Sequence, residues 1–220
     1  KIKTNHFGFG VYSKSPYLNY SGSLRFYING YRANDKELYG QLMVLPWKST
    51  EMPYVKGTIL ISDREPDIFL KNYYSNNFMW SNNFEKEKRF MIGGMLGAEK
   101  WKLEAGYNLI RIVDYLYFNS EGLPTQADNV TATSAYVKKT FKLGGFYFVN
   151  KVLWQANTNE DVLSLPTFSV FSSLFYEHEL VKNVLTGQFG VSRFYRTKFY
   201  ADAFMPATGQ VINQREKKIG

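Results

Sequence analysis

His6 and His178 are the only two imidazoles in the 220 residues, and there is no cysteine. The absence of cysteine removes thiol nucleophiles, disulfide scaffolds and zinc–thiolate sites together. Glu177-His178-Glu179 brings metal-ligating residue types side by side, but successive residues of a strand point to opposite faces, so they do not converge on one ion. No Gly-x-Ser-x-Gly elbow is present for either histidine to serve. Gly93-Gly94, Gly144-Gly145 and the Gly8-x-Gly10 spacing precede no helical pattern. That removes a phosphate-cradling loop and leaves bends and bulges as their reading. No catalytic, cofactor or metal site is expected.

The chemistry that remains belongs to rows of polar side chains. From Trp101 to Leu109 the odd positions read Trp101, Leu103, Ala105, Tyr107 and Leu109, and the even ones Lys102, Glu104, Gly106 and Asn108. A period of two gives a strand one apolar and one polar face. Residues 21–30 set Gly22, Leu24, Phe26 and Ile28 against Arg25 and Asn29, and residues 54–63 set Val55, Ile59 and Ile61 against Lys56 and Thr58. Residues 184–192 set Leu185, Phe189 and Val191 against Thr186 and Gln188. With hydrocarbon on the apolar rows and water on the others, the candidate lumen residues are Arg25, Asn29, Lys56, Thr58, Lys102, Glu104, Asn108, Thr186 and Gln188. On a half-exposed soluble sheet the same alternation would make them a solvent-facing row. Basic residues outnumber acidic ones in this set, which points to anion preference in a lumen so lined.

The elements that must position these rows are strands. Residues 88–97, 131–140, 143–154 and 168–178 are rich in β-branched and aromatic residues without one clean face, and 7–12 and 38–47 are weaker stretches of the same kind. The total is about ten strands of roughly ten residues, twice the usual globular length and matched to the ~9–11 residues of a tilted membrane strand. Tight links are expected at 97–100, around Phe141-Lys142 and around Glu179–Lys182, with a medium one at 46–53. Long connections are expected at 64–86, 111–130, 155–167 and from 195 on, with a helical turn within Asp67–Tyr74. Short turns at one end and long loops at the other are the pattern of an up-and-down outer-membrane barrel. Trp47, Tyr54, Trp101 and Phe141 sit beside the short and medium links, and Tyr115, Tyr117, Trp154 and Tyr195 near the long ones. Aromatics gathered at both strand ends are placed for two interfacial girdles.

Composition is compatible with this. The 27 basic and 19 acidic residues leave a formal charge of +8, and the mean hydropathy is −0.33. A transmembrane barrel keeps half its strand residues toward water, so such an average does not separate it from a soluble protein. No stretch approaches the ~20 apolar residues of a membrane helix. The 18 Phe, 17 Tyr and 4 Trp beside a positive charge suggest a single-strand nucleic-acid platform. The aromatics, however, sit at strand ends and no RNP-type motif occurs, so a nucleic-acid partner is not expected. Glu85-Lys-Glu-Lys-Arg89 alternates in sign and reads as a solvated strand entry.

Four stretches occur in a telling order: Tyr73-Tyr-Ser-Asn-Asn-Phe-Met-Trp80 in a long loop, Phe141-Lys-Leu-Gly144 at a tight turn, Asp161-Val-Leu-Ser-Leu-Pro166 opening a strand, and Pro206-Ala-Thr-Gly-Gln210 in the last loop before Lys218-Ile-Gly220. In these the chain resembles the putative porin family of Bacteroidota, outer-membrane β-barrels of several hundred residues. The resemblance covers roughly residues 73–220 by specific words, and residues 1–72 by barrel-like pattern alone. It implies a pore in the outer membrane and carries over no catalytic residues. Such barrels usually close with a strand ending in an aromatic, whereas this chain ends in Ile-Gly, so the closing strands are expected outside it.

The expected fold is therefore all-β: an antiparallel up-and-down transmembrane β-barrel, with residues 1–220 part of a single barrel domain and about ten strands of a larger barrel in view. Both ends read as cuts within a longer chain. The expected location is the cell outer membrane, with outer-membrane lipid and lipopolysaccharide as surroundings and passive diffusion of small hydrophilic solutes as the function. Two alternatives stay open. One is a non-conducting barrel, plugged by its loops or acting as a structural or partner-binding component among other envelope proteins. The other is a soluble secreted β-sandwich that binds glycans through loop aromatics.

Overall fold

The structure, a computed structural model, describes residues 3–220; Lys1 and Ile2 of the opening stretch lie outside the described residues. In chain order the elements are β1 (Thr4–Lys14), β2 (Leu18–Gly30), β3 (Lys36–Val44), β4 (Tyr54–Arg64), α1 (Ile68–Lys71), β5 (Asn72–Tyr74), β6 (Met79–Ser81), β7 (Glu87–Ala98) and β8 (Leu103–Phe118). They continue with β9 (Pro124–Leu143), β10 (Phe146–Asn157), β11 (Phe168–Val181), β12 (Leu185–Arg196), β13 (Phe199–Tyr200), β14 (Ala203–Met205), β15 (Gln210–Ile212) and β16 (Lys218–Ile219). Ten of the strands form one sheet in the order β1-β2-β3-β4-β7-β8-β9-β10-β11-β12, each antiparallel to its neighbours. Among the described residues the sheet is open, with β1 and β12 at its edges. Strands make up 67% of the chain, against about 20–25% in ordinary globular proteins. The ten run from 9 residues in β3 to 20 in β9.

The pairing register turns the period of two into continuous rows, because directly opposed residues share a face. One row runs Leu18–Val44–Val55–Leu96–Ala105–Val137–Val152–Val170–Tyr195 across β2 to β12. On the other face Ser21–Gln41–Thr58–Gly93–Asn108–Ser134–Gln155 runs across β2 to β10. The apolar face is packed against nothing: Leu96 is 60% exposed, Phe7 70% and Phe189 84%. The buried apolar side chains are Leu45, Trp80, Ala98, Ile112 and Val130, none of which belongs to that long apolar row. A soluble sandwich would bury such a face against a second sheet. The accessible surface of 14571 Å² also exceeds the about 10,400 Å² of a compact globule of this mass.

Connections sort by end. Residues 15–17, 45–53, 99–102, 144–145 and 182–184 link strands at one end, and 31–35, 65–86, 119–123 and 158–167 at the other, where 197–220 also begins. Two tight turns fall slightly later than the sequence suggests, at Gly144-Gly145 and at 182–184, because Gly144 (φ 59°) and Asn183 (φ 56°) supply the left-handed backbone such turns need. The expected long connection at 111–130 is instead the upper half of the β8–β9 hairpin, paired out to Phe118 opposite Pro124. Ile110 and Ile112 on one face and Tyr115 and Tyr117 on the other carry the strand through. The Asn119 side chain then accepts from the N–H groups of Glu121 and Leu123, both at 3.0 Å, and closes a short turn. The strand expected from Trp101 begins at Leu103, since Trp101 and Lys102 form the turn and Lys102 adopts φ 47°. The helical turn is α1, capped by Asp67 accepting from the Phe69 N–H at 2.9 Å. Glu87, read as part of a solvated strand entry, is 8% exposed, its carboxylate held by Arg89 and by the Leu116 N–H.

Two glycines give the sheet interlocks. A side chain at Gly97 would meet the Tyr54 ring, and one at Gly106 would meet Tyr136 at 2.5 Å. Each tyrosine lies across the backbone of its cross-strand partner. Gly57, with nothing within 4 Å of its would-be Cβ, is the natural control. Gly106→Val is expected to lower unfolding free energy by ~1–3 kcal/mol through overpacking, and Gly57→Val to leave it within about 0.5 kcal/mol. Urea titration in detergent checks both.

Candidate functional site

The polar face is the surface on which solute chemistry can occur. Register places Arg25, Lys56, Thr58, Glu104, Asn108, Thr186 and Gln188 on it together. Asn29 does not join them, because its side chain accepts from the Asn5 N–H at 3.0 Å, next to the bulge that shifts β1 against β2. Lys102 reaches the same region from the turn, with Nζ 4.8 Å from the centre of the Tyr147 ring. The face is not uniformly polar: Leu60–Met91–Ile110 forms an apolar patch within it.

Charge is arranged differently at its two ends. Toward the long-loop end, Glu37 on β3 takes ion pairs from Arg25 and Arg64, and Glu87 on β7 holds Arg89 while standing opposite Arg64. Arginine forks and carboxylates satisfy one another there. Toward the short-turn end, Lys56, Lys102, Lys138, Lys142 and Lys151 have no carboxylate within 4 Å among the described residues. Two of the acids in that region are held by phenols: Tyr136 donates to Glu104 at 2.7 Å and Tyr147 to Glu177 at 3.3 Å. Three of these lysines rest on rings instead: Lys102 as above, Lys142 at 4.7 Å from Tyr147 and Lys151 at 5.2 Å from Tyr136. Cation–π contact of this kind holds an ammonium without neutralising it. Of the charged residues in this paragraph only Arg25, Lys56, Lys102 and Glu104 were legible as lumen candidates. The spacing Tyr136, Lys138, Thr140, Lys142 carries the signal, but Lys139 and apolar neighbours on both sides obscure it.

The long-loop end is capped. Ser62 and Val130 (1% exposed), on the polar face, are buried while Ile61 on the apolar face stays open. The covering segments therefore lie on the polar side. Their anchor is Asp35, fully buried, which accepts from Arg32 Nε at 2.8 Å, Lys86 Nζ at 2.9 Å and the Glu65 N–H at 2.8 Å. Lys86 also donates to the Ala33 carbonyl at 2.8 Å, and Tyr31 Oη to the Pro66 carbonyl at 2.8 Å. Burial first, then the carboxylates of Glu65, Asp67 and Asp35, push the Tyr31 phenol above its ordinary pKa, so it stays a donor through neutral pH. Both ends of loop 65–86 are thus tied to turn 31–35. The loop's own centre is Trp80, stacked on Tyr73 at 4.6 Å and edge-on to Phe118 of β8 at 6.0 Å.

The aromatic candidates divide. Trp47, Trp101, Phe141 and Tyr195 are exposed, and Phe141 stacks on Phe148 at 6.4 Å on the apolar face. Trp154 pairs with Phe168 on that face toward the loop end, while Phe146, Tyr176 and Phe189 line up at the turn end. Tyr115 and Tyr117 stack on one another at 6.1 Å. Tyr54 lies on the polar face over Gly97 rather than in an outer band. One row interrupts the apolar face, Lys139–Asn150–Ser172–Arg193. Lys139 bends toward the turn end and donates to the Trp101 carbonyl, as a long cationic side chain does when its stem lies on an apolar surface.

Long antiparallel strands in sequential order, an exposed apolar face and a polar face capped by loops at one end define the class: part of the wall of a β-barrel. The family model described as Putative porin matches residues 3–220, and the chain belongs to that family. No curated protein and no solved structure matches it.

Asp35→Ala removes the acceptor shared by Arg32, Lys86 and the Glu65 N–H, which is expected to cost about 1–3 kcal/mol locally. Limited proteolysis should then cut within 65–86 at least tenfold faster than in the parent, while the sheet keeps its β-signal in circular dichroism.

Proposed function

We propose that the chain forms wall and mouth of an outer-membrane pore through which small hydrophilic solutes diffuse passively. The observation that carries this reading is the register-continuous apolar row, exposed along most of its length, opposite a continuous polar row. Hydrocarbon is the environment in which such an exposed face is stable, and a hydrated lumen is the environment for the other. Short turns then belong to the periplasmic side and the long loops to the outer side. The Asp35-anchored cap narrows the entrance. The tyrosine-backed lysines near the inner end leave a local excess of positive charge, which favours anions over cations during transit.

Reconstituted in planar bilayers under a salt gradient, the protein is expected to show conductance steps with a reversal potential on the anion side. Replacing Lys102, Lys138, Lys142 and Lys151 by Glu should move that potential to the cation side. Cation preference in the unmodified protein would sink the selectivity. The burial of Ser62 and Val130 beneath the cap favours a second reading, a plugged barrel. That reading requires steps to be missing in the parent and present in Asp35→Ala.

The facing of the sheet has its own test. Ile92→Arg on the apolar face is expected to cost ~2–4 kcal/mol in lipid vesicles, and Thr58→Arg on the polar face close to nothing. Equal costs would remove the lipid assignment.

A further inference from the structure

Loop 65–86, the top of β8 and the turn between β14 and β15 enclose a cavity of about 540 Å³, within the usual range of small-ligand sites. It belongs neither to the charged ladder nor to the lysine belt. Its apolar wall is the Tyr73–Trp80 stack, at 20° between planes, with Phe118 edge-on to Trp80. Its non-aromatic polar side chains are Asp67, Thr208 and Gln210, and Tyr73 and Tyr117 bring phenol hydroxyls to the lining. Thr208 Oγ1 is buried with no hydrogen-bond partner, although buried hydroxyls are nearly always satisfied. Gln210 is tied to Met205 through strand pairing of the backbone, leaving its amide at the cavity wall. Asp67 gives one carboxylate oxygen to the Phe69 N–H and has a second to offer.

These groups select a ligand class. No lysine or arginine lines the cavity, so a phosphate or carboxylate would meet Asp67 with no compensating charge. The carboxylate itself is partly spent on capping α1, which weakens its pull on a cation. An aromatic wall facing a hydroxyl, an amide and a carboxylate matches a ring that is apolar on one face and rimmed with hydroxyls. We propose that this cavity is a binding site for neutral pyranose sugars at the loop end of the barrel. Sugar C–H groups pack on Tyr73 and Trp80, and ring hydroxyls donate to Asp67 and exchange hydrogen bonds with Thr208 and Gln210. The site captures ligand whether or not the barrel conducts, so the failure of either reading leaves the other standing.

Saturation-transfer NMR on the full chain in detergent, with maltotriose, methyl galactoside and N-acetylglucosamine as probes, provides the test. Transfer to the ring protons of at least one sugar is expected, and glucose 6-phosphate should bind more weakly than glucose. Thr208→Val and Gln210→Leu should each weaken binding ~3–10-fold, the worth of one neutral hydrogen bond, while Thr208→Ser restores it. Tryptophan emission unchanged from the parent establishes that the cap is folded in each variant. Absence of transfer to all three sugars overturns the proposal. So does tighter binding of choline than of any sugar, which would make the cavity an aromatic cation cage.

Discussion

Both surfaces of this sheet depend on the phase of nine strand pairings. Side chains alternate with a period of two, so a slip of one residue at any pairing would move a whole strand's apolar set to the polar side. Had β4 slipped against β7, Lys56 would stand in the row now formed by Val55 and Leu96. Several devices hold the phase. Asn183 and Gly144 fix the tight turns through positive φ. Tyr54 over Gly97 and Tyr136 over Gly106 interlock neighbouring strands in one alignment, since the ring fits only where its partner has no side chain. The Arg25–Glu37–Arg64 chain adds a charge match across β2, β3 and β4. These contacts secure the register that every lumen or lipid assignment presupposes, and in hydrocarbon the ladder is also the only partner the backbone has.

The two ends of the polar face use different cations for a physical reason. Arginine presents a planar fork that meets carboxylates in fixed geometry, and the loop end is where carboxylates face it. At the turn end the carboxylates of Glu104 and Glu177 are taken by tyrosine hydroxyls. Lysine, a compact charge on a flexible stem, then settles on the tyrosine rings. One tyrosine thus serves twice, donating through its hydroxyl and supporting an ammonium on its face. The result is near balance at one height of the wall and excess positive charge at another, which net charge alone does not reveal.

The sheet was largely legible from sequence because its alternation is local. Residues 54–63 and 101–109 carry their faces in plain order, and the edge and central strands follow. The upper β8–β9 hairpin was missed because Asp114 and Asn119 look like loop residues, whereas Asp114 sits within a strand at φ 60° and Gln126 bonds its carbonyl. Tyr54 was grouped with an outer band by its place beside a turn. Its true facing follows from parity with Lys56, two positions on. The charge ladder and the Asp35 cluster stayed out of reach for a different reason. Their key contacts join residues far apart in the chain, such as Glu37 with Arg64 and Asp35 with Lys86, and pairing order must be known before such residues can be recognised as neighbours.

The cap obeys a different solvent rule from the wall beneath it. Across the strands, apolar side chains point outward and remain exposed; above them Trp80 is buried as in an ordinary soluble core. The change falls near Asp63–Lys88 on the apolar face, where the exterior turns charged. Loop 65–86 begins at that boundary. It folds inward, over Ser62, Ile112 and Val130 of the polar face, all of which are buried. An aromatic-rich loop is suited to this position. Its rings supply a small core of their own around Trp80, and the polar edges of Tyr31 and Trp80 bond to backbone carbonyls of Pro66 and Phe69. The aromatic weight of the sequence thus has two uses: rings on the apolar face, such as Phe141 stacked on Phe148, and a packed, partly polar cluster around Trp80.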